Sequence, residues 1–386
     1  MLTLFWLAAA IVIYTYVGYA LLVGAWAALQ RRQGTTPPTP AFEPSVTLIV
    51  PAYNEADILA EKVRDCLALD YPADRLRLLV ITDGSDDASG AVLAGFPGVR
   101  HLHQAARGGK SAAENRAMRH VDTPFVIFTD CNTLLNPAAV RYLVAPYADA
   151  RVGAVSGEKR VRAEGGAAGA GEGLYWRYES FLKRCDSDIY SLMGAAGELV
   201  SFRTDLFAPL EADTILDDFV QSMRIVAAGY RVVYEPRAYA LESPSFSLAE
   251  EMKRKVRISA GGWQAMSRLT GLLRPWPRPV LTLLYVSHRV LRWSLTPALL
   301  ALLLPLNAAL ALRYGGLYAA LLAGQAAFYG AAALGWWRAA RGRTAGPLLV
   351  PLYFTMMNLA VFQGAVRFWR RGQPAAWDKA RRAPAT

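Results

Sequence analysis

An α/β domain with a mostly parallel sheet, set among transmembrane α-helices, is the fold class this sequence predicts, and three observations predict it. Apolar, β-rich runs end in acidic or amide residues: 46–50 leads into Pro51-Ala-Tyr53-Asn54-Glu55, 78–81 into Asp83-Gly84-Ser85-Asp86-Asp87, and 125–128 into Asp130-Cys131-Asn132. Strand and helix signals alternate across the domain that holds these runs. Hydrophobic residues make up 54% of the 386, more than an ordinary soluble enzyme carries, and the excess lies in four uncharged stretches. A parallel sheet binds ligands beyond the carboxyl ends of its strands, so the acid-ended runs set carboxylates and amides on one rim, where they can hold a nucleotide and a metal.

The uncharged stretches are 4–29, 293–312, 314–337 and 344–366. Each is long enough to cross a hydrocarbon core of about 30 Å. Arg292, Arg313, Arg338, Arg343 and Arg367 stand between and beside the last three. The first is read as a retained anchor, because Met1-Leu2-Thr3 has no basic residue and the run is too long for the h-region of a signal peptide. Gln30-Arg31-Arg32 directly after it places the domain in the cytoplasm of a bacterial-type inner (plasma) membrane, with the N-terminus outside. Three further spans then carry the basic tail, with Arg370, Arg371, Lys379, Arg381 and Arg382, to the outer side. That violates the positive-inside rule unless one segment is re-entrant.

The net charge of +11 would raise nucleic acid as a partner for a soluble protein. Here many of the arginines flank spans, where anionic headgroups account for them, and no nucleic-acid motif is present. The three cysteines, Cys66, Cys131 and Cys185, are scattered, which fits reduced thiols and excludes a disulfide frame or a CxxC zinc site.

The elements follow in order. Anchor 1–30 leads into a linker, 31–45, whose segment 34–40 is rich in Gly and Pro. The α/β domain is expected over 46–270. After its first strand, Ile58, Leu59, Val63, Cys66 and Leu67 form a helical stripe that Tyr71-Pro72 stops. A short helix over 88–94, a strand over 99–102 and a helix over 110–120 precede the third acid-ended run. A strand over 152–155 is followed by a glycine-rich loop, 165–171, without periodicity. A helix over 216–228 ends at Gly229 and feeds a strand over 231–234. Ser247-Leu-Ala-Glu250 has the spacing of a capping box and opens a helix through Lys253 to Arg257. Segment 271–292, with its prolines and with His288, Arg289 and Arg292, reads as an interfacial helix, 293–367 as about three spans, and 368–386 as a basic tail.

Several residues carry chemistry. Asp130 and Asn132 offer oxygen ligands for Mg²⁺ or Mn²⁺ on a diphosphate; in isolation an Asx turn explains them better, but their position relative to the other motifs reverses that. Asp83 can accept a hydrogen bond from a base N–H or a ribose, or simply make a turn; Asp86 and Asp87 are expected to cap a helix. Gly108-Gly109-Lys110-Ser111 fails as a phosphate loop because position 104 is Gln, which leaves Lys110 at a helix N-terminus as an anion site. Of the adjacent Asp217 and Asp218 only one can cap the helix that begins there, so the other is available as a general base. Arg254 and Arg257 share a helix face suited to diphosphate, or to anionic lipid. Tyr175-Trp176-Arg-Tyr178 could stack sugar rings or face the interface, and stays outside the catalytic set.

In this order, Pro51-Ala-Tyr53-Asn54-Glu55, Thr82-Asp83-Gly84-Ser85, Gly109-Lys110-Ser111 through Asn115, Thr129-Asp130-Cys131-Asn132, Leu216-Asp217-Asp218 and Arg254-Lys-Val-Arg257 resemble the membrane-bound family 2 glycosyltransferases. That group includes cellulose, chitin and hyaluronan synthases and bacterial poly-N-acetylglucosamine synthases. The resemblance covers about 46–268 and implies a GT-A fold, a UDP-sugar donor, a divalent metal and inversion at the anomeric carbon. It also implies that Asp83 contacts the uracil, Asp130 the metal and Asp218 the acceptor proton, with Arg254 and Arg257 beside the diphosphate. Pro51, Tyr53, Glu55, Lys110 and Asp217 complete the substrate site. Asn132 stands where the family's metal motif has a second Asp, and Ile258 where its Gln-x-x-Arg-Trp signature has Trp, which puts processive polymerisation in question.

The function expected is sugar transfer to a saccharide acceptor. Transfer to a polyprenyl phosphate carrier is the near alternative, and a non-catalytic membrane scaffold that keeps the fold is the distant one.

Overall fold

The computed structural model describes residues 1–33, 42–162 and 166–372. The linker segment 34–40 and most of the basic tail therefore lie outside the described residues. Among the described residues, eight strands form one sheet: β1 (Val46–Ala52), β2 (Leu76–Asp83), β3 (Arg100–Gln104), β4 (Phe125–Thr129), β5 (Thr133–Leu135), β6 (Val152–Val161), β7 (Leu199–Arg203) and β8 (Arg231–Glu242). Their order across the sheet is β3-β2-β1-β4-β7-β6-β8-β5. The first four in that order run parallel, β7 runs against both of its neighbours, and β6 and β8 are parallel to each other.

Fourteen α-helices surround it among the described residues: α1 (Leu2–Ile13), α2 (Tyr19–Gln33), α3 (Ala56–Leu67), α4 (Ser89–Ala94), α5 (Lys110–Met118), α6 (Ala139–Val144), α7 (Gly166–Ile189), α8 (Asp217–Ala227), α9 (Leu248–Arg268), α10 (Pro279–Tyr285), α11 (Leu291–Trp293), α12 (Leu295–Tyr314), α13 (Gly316–Ala340) and α14 (Leu349–Trp369). The capping box predicted at Ser247 is formed, since its Oγ accepts from the Glu250 amide at 3.2 Å.

Strand alternation splits the core into two layers. Leu48, Val50, Val80 and Ile127 face α3 and α6, whereas Ile49, Leu79, Ile81 and Phe128 face a second layer that contains Tyr19, Val23 and Ala27 of α2. The amino-terminal apolar helix is thus packed into the same hydrophobic layer as the sheet. Four helical segments, Leu2–Arg31, Leu295–Tyr314, Gly316–Ala340 and Gly346–Trp369, are long and apolar enough to cross a membrane. Segment 279–293 is helical, and its basic residues turn inward: His288 and Arg289 are buried, and Glu179 of α7 pairs with Arg289 at 2.6 Å and Arg292 at 3.0 Å.

One expectation is overturned. The glycine-rich stretch read as a loop over 165–171 belongs, from Gly166 onward, to the first turns of α7. A Cβ on Gly171 would lie 2.4 Å from Cδ2 of Tyr353 on α14, so the glycine allows α7 and α14 to approach closely. Gly171→Ala is therefore expected to cost about 1–3 kcal/mol through overpacking. Gly173→Ala, where a Cβ meets open space, should be neutral or stabilising. Thermal midpoints of the two variants check the contrast, and equal midpoints would sink it.

Candidate active site

The rim forms because strand ends are level. Ala52 of β1 lies opposite Thr82 of β2, and Ile49 lies opposite Phe128 of β4, so the residues after all three strands share one end of the sheet. The first two loops are clamped together. The Asn54 amide donates to Ser85 Oγ at 3.1 Å, and the Asn54 side chain exchanges hydrogen bonds with Asp86 at 2.7 and 3.0 Å. Asp87 accepts from the amides of Ala56 and Ser89 at 2.9 and 3.0 Å. It thereby satisfies the first turns of α3 and α4 at once, the capping role expected of this pair. The Arg107 guanidinium lies 3.7 Å from the Tyr53 ring centroid.

Asp83 is buried, and its carboxylate accepts from the Gly108 and Gly109 amides at 2.8 and 2.7 Å and from Arg116 at 3.3 Å. Its immediate work is to fasten the turn that launches α5. That turn sets Lys110 among acids: Nζ lies 2.9 Å from Asp130, 3.3 Å from Asp217 and 3.8 Å from Glu114. Burial opposes the charge on Lys110, but these carboxylates outweigh it and hold its pKa well above the usual lysine range. Burial raises the pKa of Asp130 even against Lys110.

The pair at the start of α8 divides its roles by environment. Asp217 is buried, yet Lys110, a hydrogen bond with Glu114 and Arg257 hold its pKa below the ordinary value. Burial first, and then Asp217, raise Glu114 well above its ordinary value. Asp218 goes the other way: burial first, then the charge of Asp217, push it up to about 7. One of its oxygens accepts the Phe219 amide at 2.7 Å. The other faces Gly197, where a Cβ would sit 3.0 Å from Asp218 Oδ2 and 3.2 Å from Lys110 Nζ.

Arg254 and Arg257 part company. Arg257 donates to the Ile215 carbonyl at 3.1 Å and stands in the field of Asp217, Asp218 and Asp130. Arg254, expected beside it on the diphosphate, is instead bound to Glu172 and Glu251, at 2.5 and 2.8 Å. The reason is a buried charge network, in which Lys159 pairs with Glu172, Glu198 and Glu242. Asn132 donates to Glu242 at 3.0 Å, which orients its amide at the edge of this network.

Residues 47–207 match glycosyl transferase family 2. This segment is a family 2 glycosyltransferase domain. The chain is 23% identical over 231 residues to the poly-β-1,6-N-acetyl-D-glucosamine synthase of Staphylococcus aureus (strain MSSA476), covering 58% of this chain and 56% of the synthase. It is 22% identical over the same length to the synthase of Staphylococcus epidermidis. It thus spans little more than half the length of these curated relatives. Among solved structures, the mannosyltransferase PcManGT from Pyrobaculum calidifontis, in complex with GDP-Man and Mn²⁺, matches with a TM-score of 0.72 and 25% identity over 95% of this chain and 99% of that one. The fold is accordingly of the GT-A type, with apolar helices that fit membrane spans.

In the family 2 domain and the helices around it, every site residue expected from the sequence lines one cleft of ≈ 1920 Å³. Sequence reasoning missed Glu114, Glu198 and Gly197. Glu198 precedes its strand rather than ending it, and reaches the rim because β7 runs antiparallel to β4, with Leu199 opposite Thr129. Glu242 does end a strand, and extending the run at 231–234 to the full length of β8 would have found it. Ile258 lines the cleft in place of the signature Trp. A different tryptophan, Trp293, also lines it and packs edge-on against Phe219, 5.1 Å between centroids.

Proposed function

We propose that this chain is a membrane glycosyltransferase that moves a sugar, with inversion, from a nucleoside diphosphate donor to an acceptor presented at the membrane. The observation that carries the reading is Asp218: a carboxyl with a pKa near neutrality, at the edge of a cleft larger than one ligand requires. As the acceptor oxygen bonds to the anomeric carbon, Asp218 takes the hydroxyl proton. The bond from that carbon to the diphosphate breaks, and the nucleoside diphosphate leaves with the electron pair. Arg257 stands where it can meet the charge that develops on the leaving group.

No group of three or more His, Cys, Asp and Glu residues among those described forms a closed metal cage. That fits a cation held by one or two protein oxygens together with diphosphate oxygens. Asp130 and Asn132 would hold it, and the chemistry it supplies is neutralisation of the leaving diphosphate. The similarity to a mannosyltransferase that holds GDP-Man and Mn²⁺ supports the metal, and it widens the donor from the expected UDP-sugars to include GDP-sugars. The basic Gln30-Arg31-Arg32 directly after the first apolar helix supports a cytoplasmic catalytic face.

Purified membranes offered UDP- and GDP-sugars with Mn²⁺ or Mg²⁺ should release the matching nucleoside diphosphate. A chelator should stop the release and weaken nucleotide binding, and added Mn²⁺ should restore both. Absence of turnover across the panel with metal present would overturn the reading. A lipid-linked acceptor is the second reading, favoured because the cleft continues from the rim to Tyr16 and α14.

A further inference from the structure

By length and composition α14 can cross a membrane, yet its contacts put both of its ends beside the catalytic domain. The other apolar helices define the levels. Thr15 and Thr296 share a hydrogen bond of 3.0 Å where α12 begins, next to the domain, and Trp6 donates to Tyr318 at 3.2 Å at the far end. Phe5, Ala8, Leu303 and Leu310 pack between these two points. Helix α12 therefore leaves the domain antiparallel to α1, and α13 starts at the far end. It returns toward the domain, since Phe328 meets Phe354, which in turn packs on Tyr16 at 4.9 Å between centroids.

Helix α14 begins beside the returning end of α13, where a Cβ on Gly335 would lie 3.1 Å from the Leu348 carbonyl oxygen. From there it runs parallel to α9. Tyr353 donates to Glu251 at 2.6 Å, a Cβ on Gly364 would lie 2.7 Å from the Ala260 nitrogen, and the Phe368 ring faces that of Trp263, 6.5 Å between centroids. The last contact fixes the level. Gly262, next to Trp263, is closed off by the indole of Trp293, 2.7 Å from where its Cβ would be, and Trp293 lies just before the start of α12. The carboxyl end of α14 is thus level with the domain end of α12, away from Trp6 and Tyr318.

Crossing the bilayer would require α14 to carry α9 into the hydrocarbon with it. Six of the eight residues from Glu250 to Arg257 are charged, and Arg254 among them is tied to Glu172 of the catalytic domain. Hydrocarbon excludes such a run. The two faces of α14 explain why it nonetheless reads as a span. Tyr353, Met356, Ala360 and Gly364 form its buried face, and Leu359, Phe362, Val366 and Trp369 an exposed apolar stripe on the opposite side.

We infer that α14 does not cross the membrane but lies in the leaflet on the domain side, with the stripe from Leu359 to Trp369 against acyl chains and Arg370 and Arg371 at the headgroups. The partner of this surface is lipid, because the stripe is continuous with the apolar helices and ends in basic residues. Of the three apolar stretches after the domain, only α12 and α13 then cross. Arg338, Arg341 and Arg343 share the catalytic side with the end of α14, so the tail leaves from that side and the conflict with the positive-inside rule disappears. The inference does not depend on the transferase reading.

The test is the side-specific reactivity of single cysteines in the full chain, in sealed right-side-out and inside-out membrane vesicles, with a maleimide that does not cross membranes. The native Cys66, Cys131 and Cys185 are buried, so the unaltered protein sets the baseline. Gly372→Cys, Thr344→Cys and Tyr314→Cys leave every charge in place. Gly372→Cys is expected to react from the same face as Thr344→Cys, and Tyr314→Cys from the opposite one. Reaction of Gly372→Cys from the Tyr314→Cys face, or from both faces, would overturn the inference, as would reaction of Thr344→Cys and Tyr314→Cys from one face.

Nitroxides placed singly at Leu359 and Val366 in liposomes give a second readout that does not use Gly372. Oxygen and a water-soluble nickel complex should report the same shallow depth for both, whereas a crossing helix would separate them by about 10 Å. A depth difference of that size rejects the interfacial position. Shielding from both relaxants would show that protein covers the stripe, and would reject lipid as its partner.

Discussion

Asp218→Asn is expected to lower turnover by about 10²–10⁴-fold, the usual worth of a general base, while leaving nucleotide binding nearly intact. Asparagine keeps the shape and the contact with the Phe219 amide but cannot take a proton. The pH profile gives a second readout. Asp218 must be ionised to act, so activity of the unaltered protein should rise with pH through about 7 and level off above it. That acid limb should vanish in the variant.

The sign for stability is opposite to that for activity. A carboxyl whose folded pKa is raised stabilises the fold below its unfolded value and loses that contribution as pH climbs through about 7. Asp218→Asn should therefore unfold no lower than the unaltered protein at pH 8, which separates a catalytic loss from a folding one. Undiminished nucleoside diphosphate release by a folded Asp218→Asn protein would remove Asp218 from the mechanism.

Lys159→Met should produce the largest loss of stability. The lysine is fully buried and is the shared partner of Glu172, Glu198 and Glu242. Removing one member of a buried ion cluster leaves uncompensated charge and costs about 3–5 kcal/mol, a drop in thermal midpoint on the order of 10 °C. Burial works against the Glu198 carboxylate, but Lys159 outweighs it and holds Glu198 below its ordinary range. In the unaltered protein that contribution is present above the unfolded glutamate pKa and fades as pH falls. Without Lys159 the carboxylates titrate upward, so the gap between variant and parent should widen from pH 5 to pH 8. Equal midpoints at both pH values would show that the network is not held by Lys159.

The rim was legible because local chemistry and strand direction agreed. Three acid-ended runs became β1, β2 and β4, and parallel pairing carried Tyr53, Asp83 and Asp130 to one edge. Asp87 and Ser247 cap helices as their positions predict, since a capping side chain reaches only the amides next to it. Reasoning of this kind fails where direction reverses or where a glycine serves a distant neighbour. Glu198 enters the rim from the start of an antiparallel strand. The glycines at the head of α7 look like a loop because the packing they serve involves Tyr353, far along the chain.

From sequence alone came the acid-ended strands, the four apolar stretches, the family resemblance and the pairing of Asp217 with Asp218, because each is written in neighbouring residues. Only the tertiary structure decided which member of that pair has a pKa near 7, and that Arg257 rather than Arg254 faces Asp217 and Asp218. Those outcomes depend on burial and on charges brought together from distant parts of the chain. Electrostatic energy in a low-dielectric interior follows distance in space, which spacing along the sequence does not encode.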